Sequence, residues 1–177
     1  MNMGRRVIYL VVSLTLVFLG GCSQNNDLAS LEENNVATIR YVHSEMAKGN
    51  MDVFDKTLAP NYVRHCQAMP PDLQEMYGSE PLKAFVSDFI SAVSDFSETI
   101  DVIVADSDKV AYVTTMKGTQ TGVMGELPAS GKTFTCVNII VHRFEDGKIA
   151  ESWVSWDNVA MLSQLGFFPP PSQNGQP

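Results

Sequence analysis

Two kinds of side chain in this 177-residue sequence can exchange protons with a bound molecule: its three histidines, which titrate near neutral pH, and its 20 Asp and Glu. His65, three residues after Tyr62, is the first candidate for a general acid or base; the competing role is an edge histidine, hydrogen-bonded and inert. Asp157 is a second candidate base, but it lies where a strand gives way to a helix, and an N-cap is the commoner task there. His142 and Asp157 do not combine. Even in the register that puts them on one face they stand about 20 Å apart along a hairpin, at 3.3 Å per residue. Asn138 and Trp156 suit a ligand pocket, the indole stacking and the amide orienting a polar group, with core packing as the alternative. Met69-Pro70-Pro71 and Met76 have the composition of a flexible lid. Neither a CxxC pair nor a metal-ligand spacing occurs, so no metal or other cofactor is expected.

Holding such groups in place takes a scaffold, and the hydrophobic pattern describes one. Val36, Ile39, Val42 and Met46 recur at helical spacing, with Gly49-Asn50 as a stop. Leu82, Phe85, Val86, Phe89, Ile90 and Val93 form a stronger helical stripe, with Ser79 as N-cap and Pro81 in the first turn. From Thr99 the period changes to two. Strands are expected around Ile100 to Val104, Val110 to Thr114, Thr133 to Phe144 and Ile149 to Trp156, joined by Asp106-Ser107-Asp108-Lys109, a Gly/Pro-rich loop and Glu145-Asp146-Gly147-Lys148. A short helix from about Val159 to Leu165 follows. Helices first and a curved antiparallel sheet afterwards make an α+β domain with the helices over one face, a cone able to enclose a pocket. One register of the last hairpin, with a two-residue Asp146-Gly147 turn, pairs His142 with Glu151; the other, with a bulge at Gly147, pairs Ile140 with Val154 and Asn138 with Trp156.

The N-terminus carries a different signal. Arg5 and Arg6 precede an apolar run from Val7 to Leu19, too short to span a bilayer, which favours a cleavable secretory signal. Leu19-Gly20-Gly21-Cys22 resembles the lipobox of bacterial lipoproteins, so cleavage before Cys22 and lipid on that cysteine are expected. By the same resemblance, Ser23 rather than Asp after the cysteine points to the outer membrane, facing the periplasm. The expected divisions are a signal peptide (1–21), a polar tether (22–30), a folded domain (31–168) and a loose Pro-rich tail (169–177). Losing the signal moves the formal charge from −8 to −10, since it holds two basic residues and no acid. An acidic surface excludes nucleic acid and electrostatic docking on anionic lipid, so the membrane is reached through the lipid on Cys22. An oxidising compartment would let Cys66 and Cys136 pair; the alternative, since each lies in or beside an apolar stretch, is two free cysteines packed as small hydrophobes.

Taken in order, Tyr62-Val63-x-His65, Gly122-x-x-Gly125-x-x-Pro128-x-x-Gly131-Lys132, His142-Arg143-Phe144-Glu145-Asp146-Gly147-Lys148-Ile149-x-Glu151-x-Trp153 and Gln164-Leu165-Gly166 resemble the SnoaL-like polyketide and ester cyclases of the NTF2-like superfamily. The resemblance covers nearly all of the mature chain and implies an NTF2-like cone. It also implies that His65 stands where the chain enters the cone, as a histidine does in many relatives, and it favours the Ile140 to Val154 register. The acid/base aspartate and the histidine across from it in those cyclases fall here on Val154 and Ile140, which cannot move a proton. The resulting expectation leans away from catalysis: a lipid-anchored envelope protein binding a small, largely apolar ligand in a pocket lined by Tyr62, His65, Asn138, Ile140, Val154 and Trp156. A carboxylate hydrogen-bonded to a histidine inside the pocket would argue against that leaning. A second reading is an altered cyclase, isomerase or hydrolase using His65 with a carboxylate from elsewhere. A third is an accessory lipoprotein that contacts itself, as a homodimer, or another protein through its sheet, which a filled pocket would favour.

Overall fold

The computed structural model describes residues 20–169. The expected signal peptide falls outside them save for its last two residues, as do the Cys22 side chain and the tail from 170 onward. Among the described residues no helix is long and apolar enough to cross a membrane. Helix α1 (Gly20–Met46) starts early, so the stretch read as a tether is helical, with every side chain from 26 to 30 exposed. Its apolar stripe goes to work further along, where Ile39 and Val42 are buried. Helix α2 (Val53–Thr57) and strand β1 (Leu58–His65) follow, then a single turn of 3-10 helix (Pro71–Leu73) and strand β2 (Glu75–Tyr77). Helix α3 (Ser79–Ala92) runs straight into β3 (Val93–Asp106), and β4 (Lys109–Gln120), β5 (Thr133–Glu145), β6 (Lys148–Trp156) and α4 (Asn158–Leu165) complete the chain. The N-cap of α3 is Gly78 rather than Ser79, whose hydroxyl instead donates to the Asp55 carboxylate at 2.9 Å and ties α3 to α2.

Six strands form one sheet in the order β2-β1-β6-β5-β4-β3. The four C-terminal strands are the expected antiparallel meander; β1, which periodicity did not reveal, joins it by a parallel pairing with β6. Bulges in β3 and β6 help to curl the sheet, and the helices pack over its concave side. One core cluster centres on Ile39, Val53, Leu82, Val110 and Phe144, the other on Phe134, Cys136, Met161 and Leu165 beneath α4. Cys66 and Cys136 are buried free thiols.

The last hairpin combines features of both expected registers. Asp146 and Gly147 take φ of 49° and 75° in a two-residue turn, and Glu145 pairs with Lys148. The extra residue enters at Ala150, between the pairs Phe144 to Ile149 and Arg143 to Glu151, so the bulge lies in β6 and not at Gly147. Beyond it Ile140 faces Val154 and Asn138 faces Trp156. That one-residue step decides which side chains of β6 point into the concave face.

Candidate functional site

Alternation along the strands sorts the polar residues between two faces. On β1, Tyr62 and Arg64 point inward, while Val63 and His65 point out. On β6, Ser152, Val154 and Trp156 face in; on β5, Asn138, Ile140 and His142; on β4, Tyr112, Thr114 and Met116. All of these inward residues except the fully buried Thr114 and Ser152, with Glu98 of β3, Val42, His43 and Met46 of α1, and Leu82, Phe85, Val86 and Phe89 of α3, surround a cavity of about 810 Å³. Met69, Pro70, Val123, Met124 and Leu127 border it from two loops. Most of the lining is aliphatic or aromatic.

Across its floor runs one continuous polar spine. Tyr62 Oη donates to Ser152 Oγ at 2.9 Å; Ser152 Oγ meets His142 Nδ1 at 2.6 Å; His142 Nε2 meets Tyr112 Oη at 2.8 Å; and Tyr112 Oη meets His43 Nε2 at 3.4 Å. His43 Nδ1 then lies 3.4 Å from Glu98 Oε2. The other carboxylate oxygen of Glu98 accepts from Thr114 Oγ1 at 2.6 Å and from Asn138 Nδ2 at 3.2 Å. Burial pulls the His142 imidazole down to about 3, with His43 adding a smaller push the same way. Burial also lowers His43, against the attraction of Glu98. Both rings are therefore neutral at pH 7. With Glu98 a carboxylate, one proton arrangement satisfies every contact: Tyr62 donates to Ser152, Ser152 to His142, His142 to Tyr112, Tyr112 to His43 and His43 to Glu98. All protons point toward one acceptor. Burial raises the Tyr62 phenol to about 12 and Tyr112 well above its ordinary range, so both remain hydroxyl donors.

Of the residues expected at a pocket, Tyr62, Asn138, Ile140, Val154 and Trp156 border this cavity and His65 does not. His65 sits on the opposite face because it is one residue out of phase with Arg64. There its Nε2 lies 3.0 Å from Glu151 Oε1 and its Nδ1 3.4 Å from Glu75, and its ring stacks on Trp153 with centroids 5.6 Å apart. Arg143 Nε donates to the same Glu151 at 3.1 Å. A carboxylate does reach His65, but on the convex side, where it links β1, β2 and β6. Asp157 is also outside the lining; its carboxylate accepts from Ala160 N at 2.9 Å as the N-cap of α4. His142 turns inward to Tyr112, away from Asp157.

Sequence reading missed His43, Glu98, Tyr112 and Ser152. His43 follows Ile39 by four residues and precedes Met46 by three, placing it on the buried helix face. Glu98 stands in phase with Phe96 and Ile100, so a carboxylate on the apolar face of β3 was there to be noticed.

The model of the SnoaL-like polyketide cyclase family matches residues 37–165. No curated protein matches the chain. Among solved structures, TsrD from Streptomyces laurentii is 28% identical with a TM-score of 0.67, over 76% of this chain and 96% of its own. IdmH from Streptomyces antibioticus, assigned as a polyketide cyclase, is 26% identical with a TM-score of 0.64, over 75% and 98%. An LEH-like epoxide hydrolase from M. tuberculosis is 16% identical with a TM-score of 0.58, over 76% and 90%; at that identity it shares the fold alone. The fold is NTF2-like.

Proposed function

The chain belongs to the SnoaL-like polyketide cyclase family, and on that premise we propose that it is a lipid-anchored envelope protein whose cavity carries out acid/base chemistry on a small, largely apolar molecule. The observation that carries the proposal is the pairing of Glu98 with His43 inside an apolar cavity. Because the family's acid/base positions are the apolar Ile140 and Val154, which face each other across β5 and β6, the expectation leaned toward passive binding. A carboxylate held by three donors on the same concave face supports the altered enzyme instead, with Glu98 in the role first considered for His65. Aldol cyclisation and epoxide opening both use a base, which takes a proton from carbon in one and from water in the other. Glu98 is suited to either: His43, Thr114 and Asn138 fix its orientation, and apolar walls exclude competing water.

The reading through protein contact needs an exposed apolar sheet face and a filled pocket. Val102, Val104, Val137, Ile139 and Trp153 supply the first, but the cavity is not filled.

The test is turnover of 5-nitrobenzisoxazole, whose ring opens when a base removes one proton from carbon. The full-length chain is expected to accelerate the opening, and saturating 1-decanol is expected to suppress that acceleration by occupying the cavity. Acceleration that decanol leaves intact would locate the base elsewhere on the surface and contradict the proposal.

A further inference from the structure

Two buried polar atoms on the cavity wall have no partner among the described residues, Arg64 Nη1 and Asn138 Oδ1, and they ask for opposite things. Arg64 is only 4% exposed. Among the described residues no carboxylate comes within 4.0 Å of its guanidinium. Its neighbour is the Phe85 ring, 5.1 Å from the guanidinium carbon to the centroid, which offsets part of the lost hydration. A buried cation without an anion is among the costliest arrangements in a folded protein, and one facing a cavity is completed by what enters. Asn138 is complementary. Its Nδ2 must face Glu98, because a carboxylate only accepts, so its Oδ1 is left as a buried acceptor awaiting a donor.

We infer that the cavity's natural occupant is an apolar carboxylic acid, its carboxylate on Arg64 and a hydroxyl or N–H further along its body on Asn138. This rests on the cavity being the working site, and it names the substrate class. A carboxylate fits the planar fork of arginine with two parallel hydrogen bonds. A phosphate monoester carries more charge than the single cation balances, and Asp72 and Asp88, which also border the cavity, oppose a second negative charge. The spacing requires an extended ligand. Arg64 pairs with Ser152, Asn138 pairs with Trp156 four residues further along β6, and β6 lies between β1 and β5. At about 3.3 Å per residue and about 4.8 Å per strand, the two backbones are roughly 16 Å apart. Between them lie Ile140, Val154 and the aromatic and aliphatic residues of α3. The acid therefore lies along the sheet with its hydroxyl or N–H end, on Asn138, brought beside the Glu98 carboxylate that Asn138 Nδ2 donates to.

The test uses the full-length chain in phosphatidylcholine nanodiscs, titrated by tryptophan fluorescence with decanoate, 1-decanol, decyl phosphate and the ω-hydroxy derivative of decanoate, empty discs correcting for partitioning. Decanoate is expected to bind at least tenfold more tightly than decanol, and the ω-hydroxy acid at least as tightly as decanoate. Arg64→Met is expected to bring the decanoate-to-decanol ratio close to one while leaving decanol affinity in place, which also shows that the variant is folded. Equal binding of decanoate and decanol to the wild type overturns the inference without any variant, and so does a preference that survives Arg64→Met. Tighter binding of decyl phosphate overturns the carboxylate assignment. Failure of every probe to bind contradicts the cavity as a ligand site; normal decanol binding without charge preference contradicts only the assignment to Arg64.

Discussion

At the scale of single residues, the site is a chain of neutral hydroxyls and imidazoles ending in one carboxylate, and its groups are set by burial more than by charge. His142 gives this a measurable signature. Unfolded, a histidine takes its proton near 6.5; folded, His142 takes it only near 3, because the imidazolium would be desolvated. Between these values the unfolded chain binds more protons, so the stability contributed by His142 is complete above pH 6.5 and is lost as pH falls toward 3. The limiting slope is about 1.4 kcal/mol per pH unit. Chemical denaturation of His142→Gln is expected to show a shallower loss of stability between pH 6.5 and 4 than the wild type; parallel curves would contradict a buried neutral imidazole. Little of this spine was legible in the sequence. A hydrogen-bond network joins residues from six separate elements, and one-dimensional spacing records none of those meetings. That Asn138 and Trp156 share the concave face was legible because β-strand alternation is local. His65 was misjudged because it is the residue beside Arg64, and one step along a strand exchanges cavity for outer face.

At the scale of elements, the meander and the two main helices were readable from period and punctuation, whereas β1 was not. Its pairing with β6 joins residues almost 90 positions apart, and its short run Leu58–His65 mixes buried and exposed positions without a clear alternation. The β6 bulge shows the limit of turn arithmetic: the family order gave the right partners for Ile140 and Asn138, but the extra residue is Ala150. Close packing of β3 on β4 imposes another local demand. A Cβ on Gly118 would run into the Val93 side chain and lie 3.2 Å from the Ser94 carbonyl oxygen. Gly118→Ala is therefore expected to cost about 1–3 kcal/mol, read from urea unfolding. A change below 0.5 kcal/mol would mean the strands separate without penalty.

At the scale of the whole molecule, the proposed reading has an acidic domain with an apolar interior reach the membrane through lipid on Cys22, behind a basic, apolar leader. Cys22→Ala is expected to leave the precursor uncleaved and without the mass of a diacylglycerol, as judged by intact-protein mass spectrometry; cleavage and lipidation of the variant would contradict the lipobox reading. What unites the scales is the claim that a base built from Glu98 and His43 replaces the acid/base pair lost at Ile140 and Val154. The rate of 5-nitrobenzisoxazole opening by wild type and Glu98→Gln, at equal concentration and pH, addresses it most directly. A general base contributes roughly 10²-fold or more, so a drop of that order is expected with the fold and decanol binding unchanged. A ratio near one would show that Glu98 takes no proton and would return the cavity to passive binding.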